Sequence, residues 1–159
     1  MLIGILSDSH GRYLTVRRAV RLFERLGVDL IVHCGDIGDE SVLDELAGHP
    51  CRFVWGNMDQ PGAGINAFLE SVGIPAPDAA PIQADGKTIL VFHGHERAFH
   101  EAVSDEAADY ILHGHTHCKR DERIGRCRVI NPGALHRANP KSVATLDTAS
   151  DTLTFHDID

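Results

Sequence analysis

The chain has 159 residues, of which 43% are hydrophobic and 24% charged, so neither a disordered chain nor a coiled coil is expected. This length is typical of one domain, and we expect a single domain over residues 1–159. The net charge of −8 and the lack of a run of Lys, Arg and aromatic residues argue against stable nucleic-acid binding. Eleven histidines make metal binding the first function to examine.

The N-terminal apolar run is too short to cross a membrane. It covers residues 1–6, lacks a basic flank and is followed by Asp8, whereas a spanning helix needs about 20 residues. The four cysteines form no Cys-x-x-Cys pair, which disfavours a disulfide framework. We therefore expect a cytoplasmic protein with no membrane association.

The first third of the sequence predicts a β-α-β-α-β order, which is typical of a parallel sheet covered by helices. Strands are expected at residues 2–7, 30–32 and 52–55, and helices at 16–26, ending before Gly27, and around 40–47. Residues 60–82 carry four prolines and predict a loop on the side of the active site, with one or two helical turns around 66–72.

The remaining sequence predicts a second set of strands. A strand at residues 88–92, a short helix at 98–103 and a strand at 110–112 are followed by antiparallel strands at 123–125, 127–130, 142–147 and 152–158. These elements together indicate an α/β fold with two packed sheets and flanking helices.

Polar side chains follow the predicted buried strands, at the point where each strand ends. Ligands of open α/β sheets bind beyond the carboxyl ends of the strands, so we expect these side chains to meet at one edge. Taken singly, Asp8 could be a helix cap, Asn57 part of an ordinary turn, and His93 or His95 a half-buried histidine. The ordered series favours a metal site instead. Its candidate ligands are Asp8, His10, Asp36, Asn57, His93, His115 and His117.

The residue types in this series restrict the metal. Imidazoles and carboxylates without thiolates suit Mn, Fe, Ni, Co or Zn and are poor ligands for calcium. One catalytic ion usually takes three or four protein ligands, so seven candidates predict two divalent ions that share a bridging carboxylate. Two such ions with two aspartates leave about +2 locally, which would let an acidic protein bind phosphate.

Other chemistry-bearing patterns are weaker. Gly86-Lys87-Thr88 imitates the end of a P-loop, but Pro81 stands where its first glycine belongs. His95 and His100 are five residues apart, whereas a zinc-protease helix needs four. We expect Cys34 to be a small buried residue of the core. We expect His113 either to pack in the interior or to support a metal ligand.

The ordered motifs resemble those of the calcineurin-like metallophosphoesterases, over the whole of residues 1–159. The turn Asn131-Pro132-Gly133 is similar to one in the small YfcE-type phosphodiesterase branch. The resemblance implies a four-layer αββα sandwich of two mixed β-sheets flanked by helices. The five motifs are Asp8-Ser9-His10, Gly35-Asp36-Ile37-Gly38-Asp39, Gly56-Asn57-Met58-Asp59, His93-Gly94-His95 and Gly114-His115-Thr116-His117.

The resemblance also implies a dinuclear, metal-dependent phosphoric ester hydrolase. A metal-bound hydroxide would attack a small phosphorylated substrate, with manganese the preferred ion and phosphodiesters favoured over phosphomonoesters. Asp36 would bridge the two ions. One ion would be held by Asp8, His10, Asp36 and His117, and the other by Asp36, Asn57, His93 and His115.

One position departs from the family pattern. Many members follow the asparagine with a histidine that assists the leaving group, whereas here that residue is Met58. His95 is the candidate catalytic substitute, with a structural or phosphate-orienting role as the alternative. For the whole chain the alternative is a non-catalytic protein-binding scaffold like the retromer subunit, in which the bridging aspartate, here Asp36, is replaced. Homo-oligomerisation is left open.

Overall fold

Ten strands and four helices make up the fold in the computed structural model, which describes all residues from 1 to 159. No helix is both long enough and apolar enough to span a membrane. In chain order the elements are β1 (Leu2–Leu6), α1 (Tyr13–Leu26), β2 (Leu30–His33), α2 (Glu40–Asp44), β3 (Cys51–Phe53), α3 (Ile65–Val72), β4 (Ile82–Ala84), β5 (Lys87–Val91), α4 (Arg97–Ser104), β6 (Tyr110–Leu112), β7 (Arg120–Ile124), β8 (Cys127–Asn131), β9 (Lys141–Asp147) and β10 (Thr152–Ile158).

The strands form two mixed five-stranded sheets. The first sheet has the order β10-β9-β1-β2-β3, and the second has the order β4-β5-β6-β8-β7. β1, β2 and β3 run parallel, with Ile5 beside Val32, and β9 pairs antiparallel with β1. β5, β6 and β8 are also parallel to one another. In each sheet the carboxyl ends of the three parallel strands therefore lie at one edge.

The two sheets pack face to face through a shared apolar core. Alternate strand residues point to opposite faces of a sheet, and Ile5 and Val32 of the first sheet belong to the same buried cluster as Ile89, Leu112 and Ile130 of the second. Helices α1, α2 and α3 pack on the outer face of the first sheet, and α4 packs on the outer face of the second. The expected αββα sandwich is confirmed.

Helix α1 agrees with its sequence pattern. Val16, Ala19, Val20 and Phe23 are buried at the spacing of one helix face. The helix ends at Gly27, whose φ of 70° is the left-handed conformation that glycine adopts at little cost. The pattern therefore predicted both the buried face and the terminus.

Several element boundaries differ from the sequence predictions. β3 ends at Phe53, so Trp55 lies in the loop after it, and α2 ends at Asp44. β4 (Ile82–Ala84) was not predicted. β7 begins at Arg120 because its polar residues form an exposed edge strand with no hydrophobic alternation. β8 is antiparallel to β7, as expected, but parallel to β6.

Candidate metal centre

The seven candidate ligands lie in five loops at the facing edges of the two sheets. The loops after β1, β2 and β3 carry Asp8 and His10, then Asp36, then Asn57. The loops after β5 and β6 carry His93, and then His115 and His117. The edge expected from the strand order is therefore the place where these side chains meet.

The backbone is unusual at most of these positions. L-residues rarely adopt a positive φ, and such strain concentrates at functional sites. Nine non-glycine residues of the chain have a positive φ, and five of them are candidate ligands. These five are Asp8 (54°), His10 (44°), Asp36 (54°), His115 (67°) and His117 (57°).

Asp36 lies at the middle of the cluster. Its Oδ2 is 3.5 Å from Nε2 of His10 and 3.4 Å from Nε2 of His93. Its Oδ1 accepts a hydrogen bond of 2.9 Å from the backbone N–H of Met58. One carboxylate oxygen thus faces imidazoles from both sheets, which is the position a bridging ligand requires.

Asp8 connects the two halves of the cluster. Its Oδ1 is 3.3 Å from Nε2 of His117, and its Oδ2 accepts a hydrogen bond from the backbone N–H of His115. Ligand atoms of Asp8, His10 and His117 all lie within 4.8 Å of one another, and so do those of Asp8, Asp36 and His93. The two groups have Asp8 in common, whereas the sequence expectation assigned the shared position to Asp36.

His93 provides the best test of whether a cation fits. Its Nδ1 is 2.8 Å from the carbonyl oxygen of Cys34, which can only accept, so Nδ1 carries the proton. In the neutral ring the lone pair of Nε2 then faces Oδ2 of Asp36 at 3.4 Å and Oδ1 of Asn57 at 3.1 Å. Three electron-rich atoms that converge in this way fit a cation, and the carbonyl that fixes the tautomer is a usual partner of metal-bound histidine.

Buried polar atoms without partners point to the same conclusion. Oδ1 of Asp8 and Nε2 of His10 are buried and have no hydrogen-bond partner. Burial raises the pKa of Asp8, since the fold withdraws this carboxylate from water, although Ser7 and the neighbouring histidines act in the opposite direction. A bound cation would compensate both groups.

The sequence did not reveal that Asp59 supports the centre. Its carboxylate accepts hydrogen bonds from the backbone N–H groups of Gly56 (2.7 Å), Ile37 (3.1 Å) and Gly38 (2.9 Å). It thereby joins the loop of Asp36 to the loop of Asn57. The one sequence signal for Asp59 was its place at the end of the Gly56-Asn57-Met58-Asp59 motif.

Glu96 has a similar role on the second sheet. Its two carboxylate oxygens accept hydrogen bonds from the backbone N–H groups of His93 (2.8 Å) and Gly94 (2.7 Å). Burial alone would raise the pKa of Glu96, but these hydrogen bonds outweigh burial and lower it. The carboxylate therefore stays ionised and fixes the loop that carries His93.

Two further polar residues support the loops. Asn131 donates from its side chain to the carbonyl of Gly114 (2.8 Å) and accepts from the backbone N–H of Gly133 (2.9 Å). His33 accepts from the backbone N–H of Gly35 through Nδ1, so its Nε2–H donates to the hydroxyl of Ser9 at 2.8 Å. Burial lowers the pKa of His33 to about 3.

The other residues singled out in the sequence lie around the cluster. His95 is at the rim, with its ring 5.4 Å from that of His93 and 6.0 Å from that of His115, and its side chain is 38% exposed. Cys34 is buried, and burial raises the pKa of its thiol. His113 is buried and packs on Phe99, with ring centroids 4.7 Å apart.

Comparison with known proteins identifies the family. Residues 1–151 match the model of the calcineurin-like phosphoesterase superfamily domain. The chain is 28% identical over 138 residues to the phosphodiesterase MJ0936 of Methanocaldococcus jannaschii, covering 84% of this chain and 83% of that protein. It is 26% identical over 165 residues to the phosphodiesterase YfcE of Escherichia coli, covering 92% and 88%.

A solved structure agrees with this assignment. A protein described as a novel archaeal phosphodiesterase matches over 99% of each chain, with a TM-score of 0.88 and 25% sequence identity. The resemblance drawn from the sequence motifs is confirmed. The chain belongs to the calcineurin-like phosphoesterase superfamily.

Proposed function

We propose that the chain acts as one domain, residues 1–159, and hydrolyses small phosphodiesters with two divalent transition-metal ions. The observation that carries this proposal is the convergence of two histidine Nε2 atoms on Oδ2 of Asp36. One ion would be held by Asp8, His10, Asp36 and His117, and the other by Asp36, Asn57, His93 and His115. When bound, the ions supply a water that is acidic near neutral pH and neutralise charge on the phosphate oxygens.

The protein contributes orientation to this chemistry. The carbonyl of Cys34 fixes the tautomer of His93, and the hydrogen bond from the N–H of Met58 fixes the plane of the Asp36 carboxylate. Asp59 and Glu96 hold the loops that bear these two residues. Ligands held in this way need little reorganisation when charge develops on the phosphate.

His95 is the group we propose to protonate the leaving oxygen. It lies beside His93 and His115, and its exposed ring can reach a substrate from the solvent side. Met58, at the position where many family members have a histidine, is 64% exposed and cannot supply a proton. We therefore expect aryl diesters, whose leaving groups need little protonation, to be the better substrates.

The donor set supports a first-row transition-metal ion; manganese, which the family resemblance implies, is the working metal of this proposal, with nickel, cobalt, iron and zinc as competitors. Four imidazoles, two carboxylates and one amide, with no thiolate, suit borderline first-row ions.

Hydrolysis of bis(p-nitrophenyl) phosphate by protein stripped with chelator and then reloaded with manganese tests the proposal. We expect turnover that depends on the metal, is lost with EDTA and is lost in Asp36→Asn. Asp44→Asn, which changes an exposed acid on α2, is the control and keeps the activity. A folded, metal-loaded wild type that cleaves neither phosphodiesters nor phosphomonoesters would leave the non-catalytic scaffold as the better account.

A further inference from the structure

A cavity of about 490 Å³ lies beside the metal centre, between the start of α2, the loop after β3 and the start of α3. The residues that line the cavity include Ile37, which follows Asp36 in the sequence, and Asp59, which lies two residues after Asn57. The loops that carry Asp36 and Asn57 thus also line the cavity, which makes it the adjacent space for one ester arm of a phosphodiester bound at these two residues. Its volume is in the usual range for small-molecule sites.

Trp55 gives the cavity a flat apolar wall. The ring of Phe53 meets the indole edge-on, at 5.0 Å between centroids and 80° between planes, and the indole is partly exposed. Leu43 and Ile65 add apolar surface nearby. A partly exposed indole flanked by aliphatic neighbours is suited to stacking on a planar aromatic group.

The charged lining of the cavity is entirely acidic. Asp39, Glu40 and Asp59 line it, and no Lys, Arg or His does. Asp59 is occupied by three backbone N–H groups, and Asp39 accepts from the backbone N–H of Ser41. Glu40 is exposed and makes no side-chain hydrogen bond or ion pair. This lining would repel a second phosphate and favours a neutral group that carries N–H donors.

We propose that this cavity binds the nucleobase of a nucleoside phosphodiester, with the base stacked on Trp55 and an exocyclic amino group directed to the carboxylate of Glu40. The inference rests on the proposed phosphodiesterase function, because it concerns one arm of that substrate. An amino-bearing base is planar and neutral and carries an exocyclic NH2 donor, so it can stack on the indole of Trp55 and donate to the carboxylate of Glu40. An aliphatic arm would leave Glu40 unused, and an anionic arm would be repelled.

Binding can be measured without any catalysis. Trp55 is the only tryptophan of the chain, so its fluorescence reports directly on the cavity. Metal-free protein in EDTA is titrated with adenosine, with purine riboside, which lacks only the amino group, and with glycerol. We expect saturable quenching by adenosine, about tenfold weaker binding of purine riboside and no saturable effect of glycerol. Absence of saturable quenching by adenosine, or equal affinity for both nucleosides, would overturn the proposal.

Two variants on α2 separate the direct contact of Glu40 with the base from the general effect of negative charge on this helix. Glu40→Ala should bring the affinity for adenosine close to that for purine riboside. Asp44→Ala removes an acid from the same helix that does not line the cavity, and should leave the difference between the nucleosides unchanged. An equal response of the two variants would contradict the specific contact.

An activity measurement links the cavity to the metal centre. The p-nitrophenyl esters of adenosine 5′-phosphate and of methyl phosphate share one leaving group and differ in the other arm. In manganese-loaded protein, Trp55→Leu should lower kcat/KM about tenfold more for the adenosine ester than for the methyl ester. Equal losses would overturn the proposal. If neither ester is cleaved by the wild type, the proposed function fails, while the fluorescence result still decides whether the cavity binds a base.

Discussion

Oδ2 of Asp36 lies 3.4 Å from Nε2 of His93, which joins the loops of the two sheets at the centre of the site. When the ring of His93 is neutral, this contact sets a carboxylate oxygen against the lone pair of Nε2, because Nδ1 already donates to a carbonyl. The pair is therefore arranged for a shared positive charge.

Asp59→Ala should weaken metal binding without removing any candidate ligand. Loss of its three hydrogen bonds frees the loops of Asp36 and Asn57, and supporting residues of this kind typically contribute about 10- to 100-fold to metal affinity. Manganese titration by calorimetry measures the effect. Asp78→Ala is the control, since this exposed acid pairs with Arg52 at 3.4 Å, accepts a hydrogen bond from the backbone N–H of Ala80 and touches neither loop. Equal affinities in the two variants would show that Asp59 has no supporting role.

Gly56→Ala should disrupt the centre, whereas Gly62→Ala should not. A Cβ at position 56 would lie 2.1 Å from Oδ1 of Asp36 and 2.4 Å from its backbone nitrogen, so the candidate ligand must move. A Cβ at position 62 meets nothing within 4 Å. Metal content after dialysis against manganese distinguishes the two. Full metal content in Gly56→Ala would contradict the close packing of the two loops.

The metal-free protein should lose stability as the pH falls from about 6.5 towards 3. Burial lowers the pKa of His33 to about 3, so between these pH values the unfolded chain binds a proton that the folded chain excludes. The stability is complete above the unfolded pKa and is lost progressively below it, by at most about 1.4 kcal/mol per pH unit for one group. Urea unfolding in EDTA at pH 6.5 and 4.5 measures the loss.

His33→Gln tests the source of that pH dependence. The variant should reduce the loss of unfolding free energy between pH 6.5 and 4.5 by about 2 kcal/mol. Val32→Ala, an uncharged change in the same buried strand, should lower stability at both pH values and keep the wild-type difference. A wild-type difference in His33→Gln would mean that other groups, such as His113, whose pKa burial lowers to about 4, account for it.

His95→Asn should affect poor leaving groups most. If the exposed imidazole protonates the leaving oxygen, its loss should lower kcat about 100-fold for an alkyl diester and much less for bis(p-nitrophenyl) phosphate. The comparison uses both substrates at saturating manganese. His49→Asn, which lies before β3 at the end of that strand opposite the site and faces Glu24, serves as the control. A uniform decrease for both substrates would assign His95 to phosphate binding instead.

The sequence predicted the candidate ligands better than it predicted their supports. Strand periodicity and the polar residues after each strand located Asp8, Asp36 and His93, because side chains at the ends of parallel strands meet at one edge. Asp59 and Glu96 were not recognised, since their hydrogen bonds to loop backbones exist only after the loops have packed. The exposed strand β7 (Arg120–Ile124) begins before the strand predicted at 123–125. The reason is related, since an edge strand need not alternate apolar and polar residues.

The number of metal ions bound per chain tests the central claim most directly. Protein purified without chelator and dialysed against manganese should contain two ions per chain by elemental analysis, and Asp36→Asn should lower the occupancy of both sites. The variant must keep the wild-type circular-dichroism spectrum for the comparison to hold. Two ions in the wild type, with both weakened in the variant, is the result that the bridging role of Asp36 predicts. One ion or none in the wild type, or a variant that still binds two ions tightly, would contradict it.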